Sequence, residues 1–119
     1  MTRTDIAKEI NWNGTATRMI HTNNIPSYFA GEIVNPGLCW TDGGEFKIET
    51  TGKYTVIFVI ENNVDGHAVD YDNETECEAI GAIDCENEKE ILINRSFMVI
   101  DFWKYDEETE FAKVFLKAV

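Results

Sequence analysis

Short apolar runs interrupted by glycine, proline and asparagine divide this chain, and the pattern predicts strands rather than long helices. The clearest run is Lys53–Glu61 (KYTVIFVIE), whose continuous β-branched and aromatic residues are typical of a strand buried on both faces. We therefore expect an α+β domain that consists mostly of strands. The other predicted strands are Thr15–His21, Gly31–Asn35, Leu38–Asp42, Glu45–Thr50, Gly66–Val69, Lys89–Ile93, Ser96–Tyr105 and Thr109–Lys117, the last two joined by a hairpin loop at Asp106–Glu108.

Signals for helix are few. Thr4–Asn11 predicts a short helix that is capped by its first residue and carries Ile6 and Ile10 on one face. Pro26–Ala30 predicts a single helical turn. Asp70–Asn87 is acidic and interrupted by glycine, so we expect it to be the longest irregular stretch, and such loops in compact domains are often functional.

Composition predicts one ordered domain, residues 1–119, because 44% of the residues are hydrophobic and the length suffices for a core. The chain has 22 acidic and 10 basic residues, a net charge of -12. This charge disfavours nucleic-acid binding and favours a basic protein partner or mimicry of nucleic acid. A solvated acidic surface without specific meaning would give the same composition.

The cysteines and the terminus indicate a reducing compartment. Cys39, Cys77 and Cys85 are odd in number and lack a CxxC spacing, so neither a disulfide framework nor a zinc site is indicated. Nothing after Met1 resembles a signal peptide or a membrane span, which predicts a cytoplasmic protein without membrane contact. Acidic residues alternate after Asp70 as in a calcium loop, but the EF-hand glycine and glutamate are missing, so we predict no metal site.

Two charged features stand out against the strands. Glu88 and Glu90 begin an apolar strand one residue apart, so their side chains are expected to share a face. Because like charges this close repel, the pair suggests two carboxylates aimed at one bound molecule, although a solvated strand end is the alternative. Arg18 lies in an apolar strand and is expensive to bury unless it meets an anion, or else it lies on the solvent face of an edge strand. His21 and His67 are expected to be ordinary packed or surface histidines.

In this order, the pieces resemble the arginine-class (R-S-E) mono-ADP-ribosyltransferases, in a minimal form similar to phage and bacterial members. That family has an arginine on an early strand, Ser-Thr-Ser on a middle strand and Glu-x-Glu at the start of a late strand. This chain has Arg18, the segment Gly31–Leu38 that looks like the approach to the middle motif, and Glu88-Lys89-Glu90 before an apolar run. It departs from the family at Trp40-Thr41-Asp42, where only the central threonine is kept.

The resemblance implies two packed antiparallel or mixed sheets with one or two short helices, and an enzyme that transfers ADP-ribose from NAD to arginine of a target protein. Glu90 would stabilise the oxocarbenium-like state, and Glu88 would orient the acceptor. Arg18 would hold the NAD pyrophosphate. Thr41 would hold Glu90 or the ribose, and Trp40 would offer a face for the nicotinamide.

Two other hypotheses compete with the transferase. The first is a non-catalytic, small acidic protein, on this scaffold or another β-rich one, that binds and blocks a basic partner; the loss of Ser-Thr-Ser favours it. The second is an unrelated β-rich domain in which the sequence Glu88-Lys89-Glu90 arises by coincidence.

Overall fold

The computed structural model describes residues 2–42, 54–80 and 90–119, and most of this part of the chain is β-strand. The predicted class, a mostly β chain with two short helices, is confirmed for these residues. In chain order the elements are α1 (Arg3–Ala7), β1 (Trp12–Gly14), β2 (Ala16–Thr22), β3 (Ile33–Val34), β4 (Cys39–Asp42), β5 (Tyr54–Ile60), β6 (Val64–Ala68), α2 (Glu74–Ile80), β7 (Glu90–Leu92), β8 (Phe97–Asp106) and β9 (Phe111–Ala118).

The strands form one mixed sheet in the order β1-β6-β7-β4-β2-β5-β9-β8-β3. Neighbouring strands are antiparallel except β5 and β9, which run parallel with Thr55 opposite Phe111. The β8–β9 hairpin is therefore attached through β9 to the middle of the sheet, a pairing that the run of predicted strands did not indicate. Within the described ranges the strands are continuous as one sheet, and two separate packed sheets are not seen there.

The main core lies on one face of this sheet. Val56, Phe58 and Ile60 of β5 project into it, together with Trp40 of β4 and Val99 of β8. The intervening β5 residues are also mostly buried, as predicted for a strand covered on both faces. Trp40, Phe58 and Ile60 are each exposed by 2% or less, so this face presents a closed apolar interior.

A smaller apolar cluster, the α1 cluster, holds α1 against the other side of the sheet. Ile6 and Ala7 of α1 pack there with Val69 and Leu92. The predicted helix Thr4–Asn11 is wrong in its bounds, because the capping residue is Thr2. Thr2 Oγ1 accepts a hydrogen bond from the main-chain N–H of Asp5, and the Asp5 carboxylate accepts one from the Thr2 N–H, which makes a capping box two residues earlier.

The acidic stretch after β6 is not irregular throughout, because α2 begins at Glu74. Asn73 Oδ1 accepts hydrogen bonds from the N–H groups of Thr75 and Glu76, which is the usual role of an N-cap asparagine. Residues 25–29 have no helical conformation, so the predicted turn over Pro26–Ala30 is wrong. The predicted strand Glu45–Thr50 lies outside the described residues. Neither described helix is long and apolar enough to cross a membrane.

Candidate functional site

Glu90 and Thr41 lie side by side where the start of β7 pairs with β4, within the sheet. The two strands are antiparallel, and Thr41 is the direct partner of Glu90 in their register. Directly opposed residues present their side chains on the same face of a sheet. The structure therefore brings together two of the residues that the resemblance assigned to an NAD site.

The Glu90 carboxylate is largely enclosed, with a side-chain exposure of 15%, and it already has partners. Arg3 of α1 forms an ion pair with it, with Nε 3.8 Å from Oε1. Burial, together with contact with the Glu90 carboxylate, raises the pKa of the Cys39 thiol to about 11. The main-chain N–H of Glu90 donates to the Tyr71 hydroxyl at 3.0 Å. These contacts join the start of β7 to α1 and β4.

Arg18 of β2 is held by main-chain oxygens of the loop that precedes β4. Its Nε donates to the Pro36 carbonyl at 3.1 Å, and its Nη1 donates to the Cys39 carbonyl at 2.6 Å. Gly37, between them, has a φ of 136°, and a Cβ there would lie 2.8 Å from Arg18 Nη2. The guanidinium thus fits against bare glycine backbone and fastens this loop to the sheet.

Arg18 and Glu90 project from opposite faces of the sheet. Thr17 is opposite Thr41 across β2 and β4, and Thr41 is opposite Glu90, so these three side chains share one face. Successive residues of a strand alternate in direction, which places Arg18 on the other face with its partner Phe58 of the main core. The sheet therefore separates Arg18, which was predicted to hold the pyrophosphate, from Glu90, the predicted catalytic carboxylate.

Of the two remaining predicted site residues, one is enclosed and one falls outside the described part of the chain. Trp40 is 2% exposed, its ring centroid lies 5.5 Å from that of Phe97, and its Nε1–H donates to the Gly37 carbonyl. Its indole therefore has no face open to a nicotinamide. Glu88 lies outside the described residues.

A buried histidine–carboxylate pair, absent from the sequence predictions, joins the two helices to the sheet. His67 of β6 is 2% exposed, and its Nε2 is hydrogen-bonded to the Glu76 carboxylate of α2. Its Nδ1 lies 2.6 Å from the carbonyl oxygen of Glu9, just after α1. Because a carbonyl only accepts, Nδ1 must carry a hydrogen, and one further proton must lie between Nε2 and the carboxylate. The two contacts of this imidazole therefore link β6 to α2 and to the residue that follows α1.

This pair forms part of an acidic cavity of about 390 Å³, here called the α1–α2 cleft. Asp5, Glu9, Asp70 and Glu76 contribute carboxylates to its lining, and none of its described lining residues is a lysine or arginine. Asp5, Glu9 and Asp70 are exposed, whereas Glu76 is buried with His67. The cleft can therefore receive a cationic group at a rim that offers several oxygen acceptors. Its lining is completed by Ile6, Asn11, His67, Asn73 and Thr75.

One sequence signal could have located this cleft. Asn73 followed three residues later by Glu76 has the spacing of a helix start, and reading it so would have replaced the irregular loop by α2. His67 and Glu76 are brought together by the tertiary fold, and their spacing in the sequence does not predict the contact. Within the described residues no group of three or more His, Cys, Asp or Glu side chains is arranged to hold a metal ion.

Comparison with protein-family models, with curated proteins and with solved structures finds no match for this chain. The resemblance to the ADP-ribosyltransferases therefore depends on the motif residues alone.

Proposed function

We propose that this protein is a non-catalytic acidic binding protein that holds a lysine or arginine of a basic partner protein in the α1–α2 cleft. The observation that carries the proposal is the cleft itself, where the exposed carboxylates of Asp5, Glu9 and Asp70 line a cavity of about 390 Å³ that has no lysine or arginine among its described lining residues. A cavity of this size accommodates a lysine or arginine side chain.

The charge around the cleft supports the same function. Segment 61–80 supplies β6 and α2 and has no lysine or arginine, so the charge of this segment is one-sided. A one-sided field attracts a basic partner from a distance and raises its rate of association. The acidic residues of the segment are Glu61, Asp65, Asp70, Asp72, Glu74, Glu76 and Glu78.

The test compares two variants with the same change in net charge. Glu9→Gln with Asp70→Asn removes two carboxylates from the rim of the cleft, while Glu107→Gln with Glu108→Gln removes two from the exposed hairpin tip. Binding of a fluorescent peptide rich in arginine and lysine is measured by anisotropy at several salt concentrations. We expect the cleft variant to weaken binding about 5- to 30-fold, equivalent to about 1–2 kcal/mol for two partly screened ion pairs.

The hairpin variant should change the affinity less than about twofold, because exposed charges far from the contact act only through the screened field. Equal losses in both variants would show that net charge alone attracts the peptide, and the cleft would have no part in it. Absence of saturable binding to any basic peptide would reject the function.

An NAD-dependent protein-arginine ADP-ribosyltransferase is the second candidate, supported by the pairing of Thr41 with Glu90 on one face. In that function Glu90 and Glu88 act in catalysis as the resemblance implies, and Arg18 would have to exchange its two carbonyl partners for pyrophosphate oxygens. Transfer of label from tagged NAD to proteins of a lysate, abolished by Glu90→Gln, would support it. No labelled band with the unmutated protein across several lysates would reject it.

A further inference from the structure

The side of β8 that faces away from β9 is paired over only a short part of its length. β8 has ten residues, but β3, the last strand in the sheet order, pairs only with the first two. Val99 adds two hydrogen bonds, one accepted from the Gly31 N–H and one donated to the Glu32 carbonyl. In the ranges that the structure describes, no strand pairs with this side of β8 beyond Val99. Residues 100–105, here called the β8 edge, therefore offer main-chain groups to an added strand.

One donor of the β8 edge is covered by a side chain of β8 itself. The Phe102 N–H donates to Asp101 Oδ1 at 2.8 Å, so this group is satisfied within its own strand. Charged side chains on edge strands commonly prevent indiscriminate pairing with other chains. A cation on an incoming strand would draw the Asp101 carboxylate away and free the N–H for pairing, whereas an acidic strand would leave the carboxylate in place. The β8 edge is therefore selective for a basic strand.

Large apolar side chains are exposed along the same two strands. Trp103 is 53% exposed and Ile100 is 40% exposed on β8, and Ile33 of β3 is 55% exposed. The Trp103 ring is held in place, because it packs against Phe115 with the centroids 5.3 Å apart and carries the Lys113 ammonium 5.4 Å from its centroid. An ordered and exposed tryptophan is well suited to anchor a protein contact. Exposed apolar residues on neighbouring strands thus indicate an interaction surface at this part of the sheet.

Charge indicates which strand fits the β8 edge. Residues 97–110, which are β8 and the loop after it, contain five carboxylates and one lysine. A second copy of the chain would bring the same carboxylates against them, and each copy has a net charge of -12. Like charges across a contact oppose it, whereas a basic strand meets opposite charges there. The carboxylates are those of Asp101, Asp106, Glu107, Glu108 and Glu110, and the lysine is Lys104.

We propose that the β8 edge binds an extended segment of a partner protein that is rich in apolar and basic residues. The segment adds a strand beside β8, so that its main chain pairs with residues 100–105. Its apolar side chains cover Trp103 and Ile100, and its basic side chains meet Asp101 and the carboxylates of the loop. In strand addition the main-chain hydrogen bonds provide affinity, and alternate side chains provide specificity. The β8 edge shares no residue with the α1–α2 cleft, and its occupant does not depend on the function proposed for the cleft.

The test titrates the full chain with a seven-residue peptide of alternating lysine and valine and follows amide chemical shifts by NMR. We expect saturable shifts at residues 100–105 with a dissociation constant of about 0.1–1 mM, which suits a short flexible peptide. Shifts at Asp5, Glu9 and Asp70 in the same titration report on the cleft separately, so the failure of either site is distinguished from the failure of the other.

Methylation of the peptide nitrogens then tests strand pairing on the unmutated protein. Only alternate residues of an added strand hydrogen-bond to the strand beside it. One peptide is N-methylated at its three valines and the other at three of its lysines. One of the two should bind at least about tenfold more weakly, and the other should keep its affinity within about twofold. Equal effects of the two methylation patterns, or no saturable shift at the β8 edge, would overturn the proposal.

Two variants and two further controls locate the contact and its charge. Trp103→Ser should weaken the peptide about tenfold, whereas Ile10→Ser, which removes a similarly exposed apolar side chain beside α1, should change the affinity less than about twofold. A peptide of alternating glutamate and valine should give no saturable shift at residues 100–105. Equal losses in the two variants, or equal binding of the glutamate peptide, would overturn the proposal. Shifts at residues 100–105 on concentrating the protein without peptide would identify a second copy as the occupant and would also overturn it.

Discussion

Replacing His67 by alanine should be among the most destabilising single changes in this chain. The imidazole bonds on both sides, to the Glu9 carbonyl through Nδ1 and to the Glu76 carboxylate through Nε2, and it is 2% exposed. Alanine would remove both bonds and leave Glu76, itself only 9% exposed, without its cationic or proton-sharing partner. It would also remove one of the links between α2, the residue after α1 and β6.

The expected loss of stability follows from the Glu76 carboxylate, which would stay buried without a partner. Removing one partner of a buried ion pair costs about 3–5 kcal/mol, because the other charge is stranded in a poor solvent. A domain of this size has about 5–15 kcal/mol of stability in total, so the loss is a large share of it. In His67→Ala/Glu76→Ala no charge is stranded, and the double variant should therefore lose less than the sum of the singles, with a coupling of about 1–3 kcal/mol.

The assay is urea unfolding followed by tryptophan fluorescence for the unmutated chain, both single variants and the double variant. Glu78→Ala is the matched control, because Glu78 is a glutamate of the same helix with an exposed side chain, and its replacement should change stability by less than about 0.5 kcal/mol. A loss below about 1 kcal/mol for His67→Ala, or a coupling indistinguishable from zero, would refute the reasoning.

Three further predictions concern single positions. The pKa of the Cys39 thiol is raised from 9.0 to about 11, so between these pH values the folded chain keeps a proton that the unfolded chain releases. The free energy of unfolding should therefore fall between pH 9 and pH 11, and Cys39→Ala should reduce that fall when it is measured by urea unfolding. Gly37→Ala should lower the free energy of unfolding by about 1–3 kcal/mol, and by more than Gly31→Ala. Both glycines have a positive φ, but only at position 37 would the new Cβ contact Arg18, so equal losses would exclude the clash. Glu110 has a φ of 66°, so Glu110→Gly should raise stability by about 0.5–1 kcal/mol, and a lower melting temperature would contradict this.

The sequence was informative where local pattern and burial agree. Lys53–Glu61 predicted a strand buried on both faces, and β5 is that strand at the middle of the sheet. The sequence was uninformative where partners are distant: the parallel pairing of β5 with β9 joins residues more than fifty positions apart. The predicted bounds of α1 were wrong because Thr2 and Thr4 are equally good capping residues. Only the hydrogen bond that the Thr2 N–H donates to the Asp5 carboxylate identifies Thr2 as the cap.

The candidate site shows the same limit in the case of Arg18. The sequence predicted that Arg18, within an apolar strand, either meets an anion or lies on the solvent face of an edge strand, and the resemblance supplied a pyrophosphate as the anion. In the structure the acceptors are the carbonyl oxygens of Pro36 and Cys39, brought within reach because Gly37 has no side chain to keep the loop away. Because every residue has a main-chain oxygen, no sequence motif indicates which of these oxygens will serve as acceptors. A charged residue in a strand therefore indicates that a partner exists, and the loop geometry decides whether that partner is a ligand or the chain itself.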